Sequence, residues 1–225
     1  MTTTSQITFE FDHRPAMGWE DFLVASCNEA AVDMIDRWPD WPAPAVCMYG
    51  PPGCGKTHLA QVFCARSGGA LVAASAFGAM ELDALLAKGV TWAIEDADRG
   101  VDETKLFHFY NMIAERNGHL LLTAESPPAR WTVELEDLRS RLTALPALAV
   151  GAPDEGLIGA VLVKQFADRQ LRVEQDVITY LVMHMERSFE AARRVAAALD
   201  TAALVGRRRI TVPLARDVLR DENLG

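Results

Sequence analysis

A glycine-rich loop that ends in Lys-Thr has the residue types and spacing of a phosphate-binding segment. It comprises Gly50, Pro51, Pro52, Gly53, Cys54, Gly55, Lys56 and Thr57. Glycines let the backbone turn its N–H groups inward, so these amides and the following helix N-terminus can surround phosphate oxygens. Lys56 would contact the β- and γ-phosphates, and Thr57 would offer its hydroxyl to Mg²⁺. The spacing predicts a P-loop that binds ADP or ATP with Mg²⁺, and His58 is a further candidate contact.

Two carboxylates, Glu95 and Asp96, follow a predicted strand at 90–94. A P-loop protein needs such acids, because one holds the magnesium shell and the next orients the attacking water. The order Glu-Asp is less usual than Asp-Glu or Asp-Asp, which argues against fast hydrolysis. Thr123 ends the next strand and could contact the same water. Glu95, Asp96 and Thr123 are therefore candidate catalytic residues, and both acids are candidate metal ligands with Thr57. A solvated acidic turn and a plain strand-end turn are the alternatives.

Apolar runs alternate with amphipathic stretches along the first 150 or so residues. Predicted strands lie at 46–49, 71–74, 90–94, 120–123 and 148–150, and predicted helices at 28–38, 58–66 and 103–117. Strands that alternate with helices predict a parallel sheet covered on both faces. After Pro153 the pattern predicts helices at 155–170, 175–185, 189–205 and 214–220, with a short extended piece at 209–212. The predicted fold class is α/β, a parallel sheet followed by a small C-terminal helical lid.

The composition excludes several classes of protein. The chain has 225 residues and a formal net charge of −9, whereas broad contact with nucleic acid needs clustered Lys and Arg. No apolar run approaches the roughly 18 residues of a membrane helix, and the amino terminus lacks the features of a signal peptide. The four cysteines form no CxxC pair. We therefore expect a cytoplasmic protein with reduced thiols, no membrane contact and no direct sequence-specific DNA binding.

Four segments appear in order along the chain: GPPGCGKTHL, a strand closing in EDAD, a strand closing in TAESPP, and LEDLRSRL at 135–142. Together they resemble the AAA+ domain of the bacterial replication initiator DnaA, over about residues 19–220. The resemblance implies an arm at 1–18, a nucleotide-binding AAA+ domain at 19–152 and a helical lid at 153–225. The stretch around 19–28 is similar to the one with which that family holds adenine. The residues implicated there are Phe22, Leu23, Val24 and Asn28.

The chain ends at Gly225, without the helix-turn-helix domain that follows the lid in the initiator. In this respect it is similar to the Hda family, regulatory inactivators of DnaA. That resemblance implies a protein that binds ADP, docks on the DNA sliding clamp and stimulates ATP hydrolysis by DnaA. Arg141 matches the family's arginine finger and would act on ATP held by the initiator. The alternative is a surface arginine paired with Glu136 or Asp137.

The lid departs from the family pattern at the position of a nucleotide-sensing arginine. An ungapped comparison places Glu190 there, flanked by Arg187, Arg193 and Arg194. A shift of one helical turn would let Arg187 or Arg194 serve instead, and Arg194 is retained as a candidate nucleotide contact.

The amino-terminal arm offers a candidate partner-binding motif. The segment QITFEF at 6–11 is similar to short clamp-binding peptides that begin with Gln and place apolar residues three and five positions later. An extended segment can bury Phe9 and Phe11 in one groove while Gln6 bonds at its edge, with Ile7 beside them. An ordinary alternating edge strand is the alternative.

Two other functions fit parts of the sequence. An accessory ATPase of the helicase-loader or adaptor type would use its own ATP hydrolysis as the output. A P-loop kinase would pass phosphate to a small acceptor, although an Arg-rich acceptor lid is not obvious. Assembly into a homo-oligomer is compatible with all three functions.

Overall fold

The computed structural model describes residues 23–206 and 208–221. The predicted arm at 1–18, its candidate residues Gln6, Ile7, Phe9 and Phe11, and the candidate adenine contact Phe22 lie outside the described residues. Residues 26–152 form one compact unit, and residues 153–206 and 208–221 belong to a second, together with 23–25. The arm, core and lid assignments made from the sequence stay predictions.

The first unit contains a five-stranded sheet in the order β2-β3-β4-β1-β5. Its strands are β1 (Ala45–Tyr49), β2 (Ala70–Ala73), β3 (Thr91–Glu95), β4 (His119–Ala124) and β5 (Ala147–Ala149). All pairs are parallel, with Met48 opposite Thr123 and Ile94 opposite Leu122. The carboxyl ends of β1, β3 and β4 therefore meet at one edge, with β4 between the other two.

Helices cover this sheet. They are α1 (Glu29–Asp36), α2 (Lys56–Ser67), α3 (Ala74–Phe77), α4 (Leu82–Lys88), α5 (Glu103–Glu115) and α6 (Glu136–Thr143), with a 3-10 turn at Pro128–Arg130. The central strands are almost continuous apolar runs, which is typical of a sheet buried on both faces. Trp92, Phe77 and Phe109 are nearly inaccessible and pack in one core cluster.

An aromatic cluster lies between the segment before β1, helix α2 and the start of β4. The Trp41 indole stacks on Phe63 of α2 with ring centroids 4.9 Å apart, and meets His119 edge-on at 5.4 Å. Trp38 meets the same two rings edge-on, at 6.4 and 5.9 Å. Trp41 Nε1 also donates to the Met34 carbonyl at 2.7 Å. These contacts fix the far end of α2 against the chain that leads into β1.

The second unit is helical. Its helices are α7 (Glu155–Asp168), α8 (Gln175–His184), α9 (Phe189–Gly206) and α10 (Val212–Asp221). They bury a separate apolar core. The Asp154 carboxylate accepts from Leu157 N–H at 2.7 Å, and Ser188 Oγ accepts from Ala191 N–H at 3.1 Å, so both α7 and α9 start at a side-chain cap.

The predicted α/β class with a C-terminal helical lid is confirmed. The prediction lacked α3 and α4, although Leu82, Leu85 and Leu86 have helical spacing. The extended piece at 209–212 was wrong, because residues 208–211 form no regular element and Val212 begins α10. Asn28 does occupy the position before α1, but its side chain makes no capping hydrogen bond. Within the described residues, no helix combines the length and apolar character that crossing a membrane requires.

Candidate functional site

The glycine-rich loop joins the end of β1 to the start of α2. Gly53 has φ 73° and Gly55 has φ 102°, a left-handed region in which side chains other than glycine are strained. Gly55 is the residue before α2, and its carbonyl accepts from Leu59 N–H at 3.0 Å. The loop therefore opens directly onto a helix N-terminus, which favours anions because of its free N–H groups and dipole.

Gly50 is wedged between the ends of two strands. Its N–H donates to the Ala124 carbonyl of β4 at 3.1 Å. A Cβ on this residue would lie 2.0 Å from the Val150 carbonyl oxygen, just beyond β5, and Val150 N–H in turn donates to the Tyr49 carbonyl at 2.7 Å. Only glycine fits here without displacing backbone. The start of the loop is thus fixed by the sheet itself.

Lys56 lies inside the loop and is 8 % exposed. Its Nζ donates to the carbonyls of Gly50 at 2.7 Å and Pro51 at 2.9 Å, and lies 3.8 Å from Cys54 Sγ. These acceptors are neutral. Among the described residues no carboxylate forms an ion pair with this ammonium. Its charge therefore remains available to phosphate oxygens.

Cys54 is the buried side chain of the loop, at 2 % exposed. Burial raises the pKa of its thiol, and the neighbouring Lys56 ammonium opposes that shift. Because the pKa is raised, the thiol stays protonated and neutral near physiological pH. Cys54 therefore fills space under the loop without competing for the charge of Lys56.

The predicted acids lie at the carboxyl end of β3. Asp96 has φ 54°, a conformation that Asp tolerates, and its N–H donates to Thr123 Oγ1 at 3.2 Å. Thr123 is 1 % exposed, and its carbonyl accepts from Ala97 N–H at 2.8 Å. The turn after β3 is thus bonded to β4. The Thr123 hydroxyl also has a hydrogen of its own, so it can act as a donor.

Asp98 is a residue of this edge to which the sequence assigned no role. Its Oδ2 accepts from the N–H groups of Glu125 at 2.9 Å and Ser126 at 3.1 Å, and from the Ser126 hydroxyl at 3.4 Å. Arg99 forms an ion pair with the Glu125 carboxylate. These contacts bind the turn after β3 to the turn after β4. The third acid of EDAD was visible in the sequence, but its partners lie 27 and 28 positions away.

The oxygen groups at this edge suit a magnesium ion. Mg²⁺ prefers oxygen ligands and usually takes one or two carboxylates together with phosphates and water. Glu95 supplies a buried Oε1 with no hydrogen-bond partner in the described chain, and Asp96 and Thr57 are exposed. In that same part of the chain, no group of three or more His, Cys, Asp or Glu forms a complete metal site. Such a site would therefore need the phosphates of a bound nucleotide.

β4 separates the phosphate loop from the two acids. Neighbouring strands lie about 4.8 Å apart, so the ends of β1 and β3 are on the order of 10 Å apart. A triphosphate with its metal ion is suited to such a gap. The metal would supply charge neutralisation at the γ-phosphate, while Lys56 would hold that phosphate from the other side.

The predicted adenine-binding stretch is described from Leu23 onward. Leu23 and Val24 are half-buried, and Asn28 is 2 % exposed. The Cys27 carbonyl accepts from Gly151 N–H at 2.8 Å. Gly151 directly follows Val150, whose carbonyl oxygen lies against Gly50. Asn28 therefore lies on a segment tied to the chain after β5. Its contact with a base stays a prediction.

Arg141 lies on α6 and faces α5. Its Nε donates to Asn111 Oδ1 and its Nη1 to the Asp137 carbonyl, both at 3.0 Å. The guanidinium carbon lies 4.5 Å from the centre of the Phe107 ring, a cation–π contact. The alternative pairing with a carboxylate on α6 is wrong, because Glu136 bonds Arg139 and Asp137 contributes only its main-chain oxygen.

One face of α5 contacts both ends of α6 and positions it. Glu103, Phe107 and Asn111 are four residues apart and therefore share a face. The Glu103 carboxylate accepts from the N–H groups of Glu134 at 3.0 Å and Leu135 at 2.8 Å, at the start of α6. The same face then holds Arg141 near the other end of α6. The orientation of Arg141 is thus set by α5, some 30 residues earlier in the chain.

Two family models match this chain. Residues 46–120 match the ATPase family associated with various cellular activities, AAA, and residues 155–219 match the Hda lid domain. The DnaA initiator of Campylobacter curvus is 24 % identical, over 92 % of this chain and 53 % of that protein. Domain III of Thermotoga maritima DnaA superposes with a TM-score of 0.79 at 17 % identity, over 95 % of this chain and 98 % of that one.

These matches support a DnaA-related AAA+ protein. AMPPCP-bound DnaA from Aquifex aeolicus has the same fold, with a TM-score of 0.69 at 16 % identity over 93 % of this chain and 70 % of that one. The chain spans about half the length of the curated DnaA relatives that it matches. The phosphate loop and the acids of this AAA+ protein lie at the sheet edge described above.

In the lid of this AAA+ protein, several arginines flank Glu190, the residue at the predicted sensing position. Arg187 forms an ion pair with Glu155, within the lid. Arg193 and Arg194 are exposed on α9, as is Glu190. His58, on the first turn of α2, is half-buried. The nucleotide contacts of Arg194 and His58 stay predictions, as do the roles assigned to the loop and the acids.

Proposed function

We propose that this chain is a regulator of replication initiation that binds ADP or ATP with Mg²⁺ and stimulates hydrolysis of the ATP held by DnaA. In this function the nucleotide bound by the chain itself regulates its activity, and the ATP that is hydrolysed is the one bound by DnaA. Docking on the DNA sliding clamp would bring the chain to its site of action.

The observation that carries this proposal is the match of residues 155–219 to the Hda lid domain in a chain that also carries a P-loop. This match to a lid described as that of Hda favours a DnaA-related regulator over AAA+ proteins in general. The phosphate loop supports nucleotide binding through its left-handed glycines, the helix N-terminus and the Lys56 ammonium, which pairs with no carboxylate among the described residues.

Arg141 supports action on a partner's nucleotide. It belongs to α6, and its contacts within the described residues are to α5 and to its own helix, not to the chain's own phosphate loop. A guanidinium supplied in trans to a transferring phosphate can be worth about 10³–10⁵ in rate. A half-buried arginine without a carboxylate partner has the chemistry for that role.

Clamp docking rests on the sequence of the arm. Gln6, Phe9 and Phe11 have the spacing of clamp-binding peptides. Burying two phenylalanines contributes about 3–6 kcal/mol gross, and ordering six residues costs about 1–2 kcal/mol each. A single arm should thus bind weakly, and several linked copies on one clamp would raise its occupancy.

The test follows labelled ATP already bound to DnaA, in the presence of clamp loaded on DNA. Wild-type protein should accelerate conversion to ADP, and Arg141→Ala should lose that acceleration by about 100-fold or more. A triple variant with alanine at Gln6, Phe9 and Phe11 should lose retention on a clamp column. Failure of the wild type to accelerate hydrolysis, with clamp binding intact, would refute the regulator function.

An accessory ATPase is the second candidate function. It is favoured by one observation: Glu95 ends β3 and Asp96 follows it, at the sheet edge that also carries the chain's own phosphate loop, and the Glu95 Oε1 atom is unpartnered in the described residues. Brisk turnover of ATP by the isolated protein, at more than about 1 per second, would support this function. Turnover that requires DnaA would support the regulator.

A further inference from the structure

Arg141 is held entirely by neutral groups in the described part of the chain. Its partners are the Asn111 amide oxygen, the Asp137 carbonyl oxygen and the face of Phe107. Carboxylates are close in sequence, at positions 136 and 137, yet neither pairs with it. The guanidinium is therefore oriented at three points without being neutralised.

This distinction matters for an arginine that must act on phosphate. A guanidinium binds carboxylate and phosphate with the same bidentate geometry, so the two compete for it directly. An amide holds the guanidinium by a hydrogen bond alone, whereas a carboxylate adds the attraction of an opposite charge. A carboxylate at the position of the Asn111 amide would hold Arg141 back, whereas an amide orients it and yields to phosphate.

We propose that Asn111 is a positioning residue for Arg141. Its amide holds the guanidinium at a fixed place on α6 without neutralising it. The guanidinium can therefore bind the phosphate oxygens of a nucleotide held by a second protein. The inference rests on the proposed function, and it adds a specific requirement to it: the residue at position 111 must be uncharged. The hydrogen bond that it accepts is one of three contacts that orient Arg141, so its loss alone has the smaller effect.

Asn111→Asp tests this requirement, because the substitution changes charge and almost no volume. It should lower the stimulated hydrolysis of DnaA-bound ATP about tenfold. The loss should become smaller, without vanishing, as salt rises from about 0.05 to 0.5 M, since a half-buried ion pair is screened only in part. Rates of variant and wild type are compared at each salt concentration, so that salt effects on clamp and DNA binding cancel.

Asn111→Leu and Asn111→Ser are the neutral controls. Each removes or shortens the acceptor without adding charge, and each should stay within about threefold of wild type at every salt concentration. Two controls are used because leucine alone could disturb the packing of α5 on α6. The melting temperature of every variant, with and without ADP, reports whether it folds and binds nucleotide.

The outcomes separate this inference from the function on which it rests. A wild-type protein that does not accelerate hydrolysis would refute the proposed function, whatever Asn111 does. An active wild type with an inactive Arg141→Ala upholds the function and makes the Asn111 comparison decisive. The positioning role is then overturned if Asn111→Asp equals wild type, or if the neutral controls lose as much activity as Asn111→Asp and no loss depends on salt.

Discussion

Gly50→Ala is the substitution that separates the architecture of the sheet edge from its ability to bind nucleotide. The new Cβ would lie 2.0 Å from the Val150 carbonyl oxygen, a backbone atom that cannot rotate away. The ends of β1 and β5 must then move apart. Overpacking of this kind costs about 1–3 kcal/mol, and for a chain of this length each kcal/mol lowers the melting temperature by about 2–4 °C. We therefore expect a loss of about 2–12 °C.

Gly118→Ala provides a matched control at the opposite edge of the same sheet. Its Cβ would lie 2.1 Å from the Val90 carbonyl oxygen, at the amino ends of β3 and β4. The steric cost should be similar, but the phosphate loop is not involved. Gly78→Ala is the mild control, because the nearest atom to its Cβ is 3.8 Å away, and it should melt within about 2 °C of wild type.

The assay is thermal unfolding with and without ADP and Mg²⁺, with ADP at 100 times the wild-type dissociation constant. Nucleotide at that concentration stabilises by about 2.7 kcal/mol, so wild type and Gly118→Ala should both gain about 5–10 °C. Gly50→Ala should gain less than half of that, since the start of its loop is displaced. An equal gain in the two alanine variants would refute the idea that Gly50 fixes the geometry of the phosphate loop.

Two further predictions concern residues near this edge. Asp98→Ala should lower the free energy of unfolding by about 2–4 kcal/mol, because two backbone N–H groups lose their acceptor. Asp98→Asn keeps one acceptor oxygen and should lower it by about half as much. Urea unfolding measures both changes, and equal losses in the two variants would contradict this role of Asp98. Cys64 has a pKa raised to about 11, mainly by burial, so its alkylation rate should rise about tenfold per pH unit from pH 7 to 10, with the unfolded chain levelling off near pH 9. A raised thiol pKa stabilises the fold fully below the unfolded pKa and progressively less above it, so the urea midpoint should fall between about pH 9 and 11, and less steeply in Cys64→Ala.

Local signals in the sequence were enough to predict the main elements of the fold. The phosphate loop can be recognised from consecutive residues, because the backbone needs a positive φ at positions 53 and 55 and both positions are glycine. The apolar runs of the central strands predicted burial on both faces. The order of the strands could not be read in this way, because strands β1 and β4 pair across more than 70 residues.

Contacts between distant residues account for what the sequence could not predict at the candidate site. The residues around Asp98 in the sequence do not show that its carboxylate accepts hydrogen bonds from the turn after β4. Those around Arg141 likewise do not show that it donates to Asn111. The alternative considered for Arg141 was a pair with a carboxylate of α6, because neighbours on a helix are the partners that sequence spacing can indicate. The structure gives that place to an amide of another helix, where no spacing rule reaches.

The aromatic cluster at the far end of α2 gives the protein an intrinsic fluorescent probe. α2 begins at Lys56 in the phosphate loop and carries Phe63 two turns later, stacked on Trp41. Two turns of helix are about 10 Å, so the indole lies close to the loop yet outside it. Any tilt or shift of α2 must change the surroundings of Trp41 and of its neighbour Trp38. Tryptophan emission would therefore follow events at the loop without a label, and without a substitution in the site.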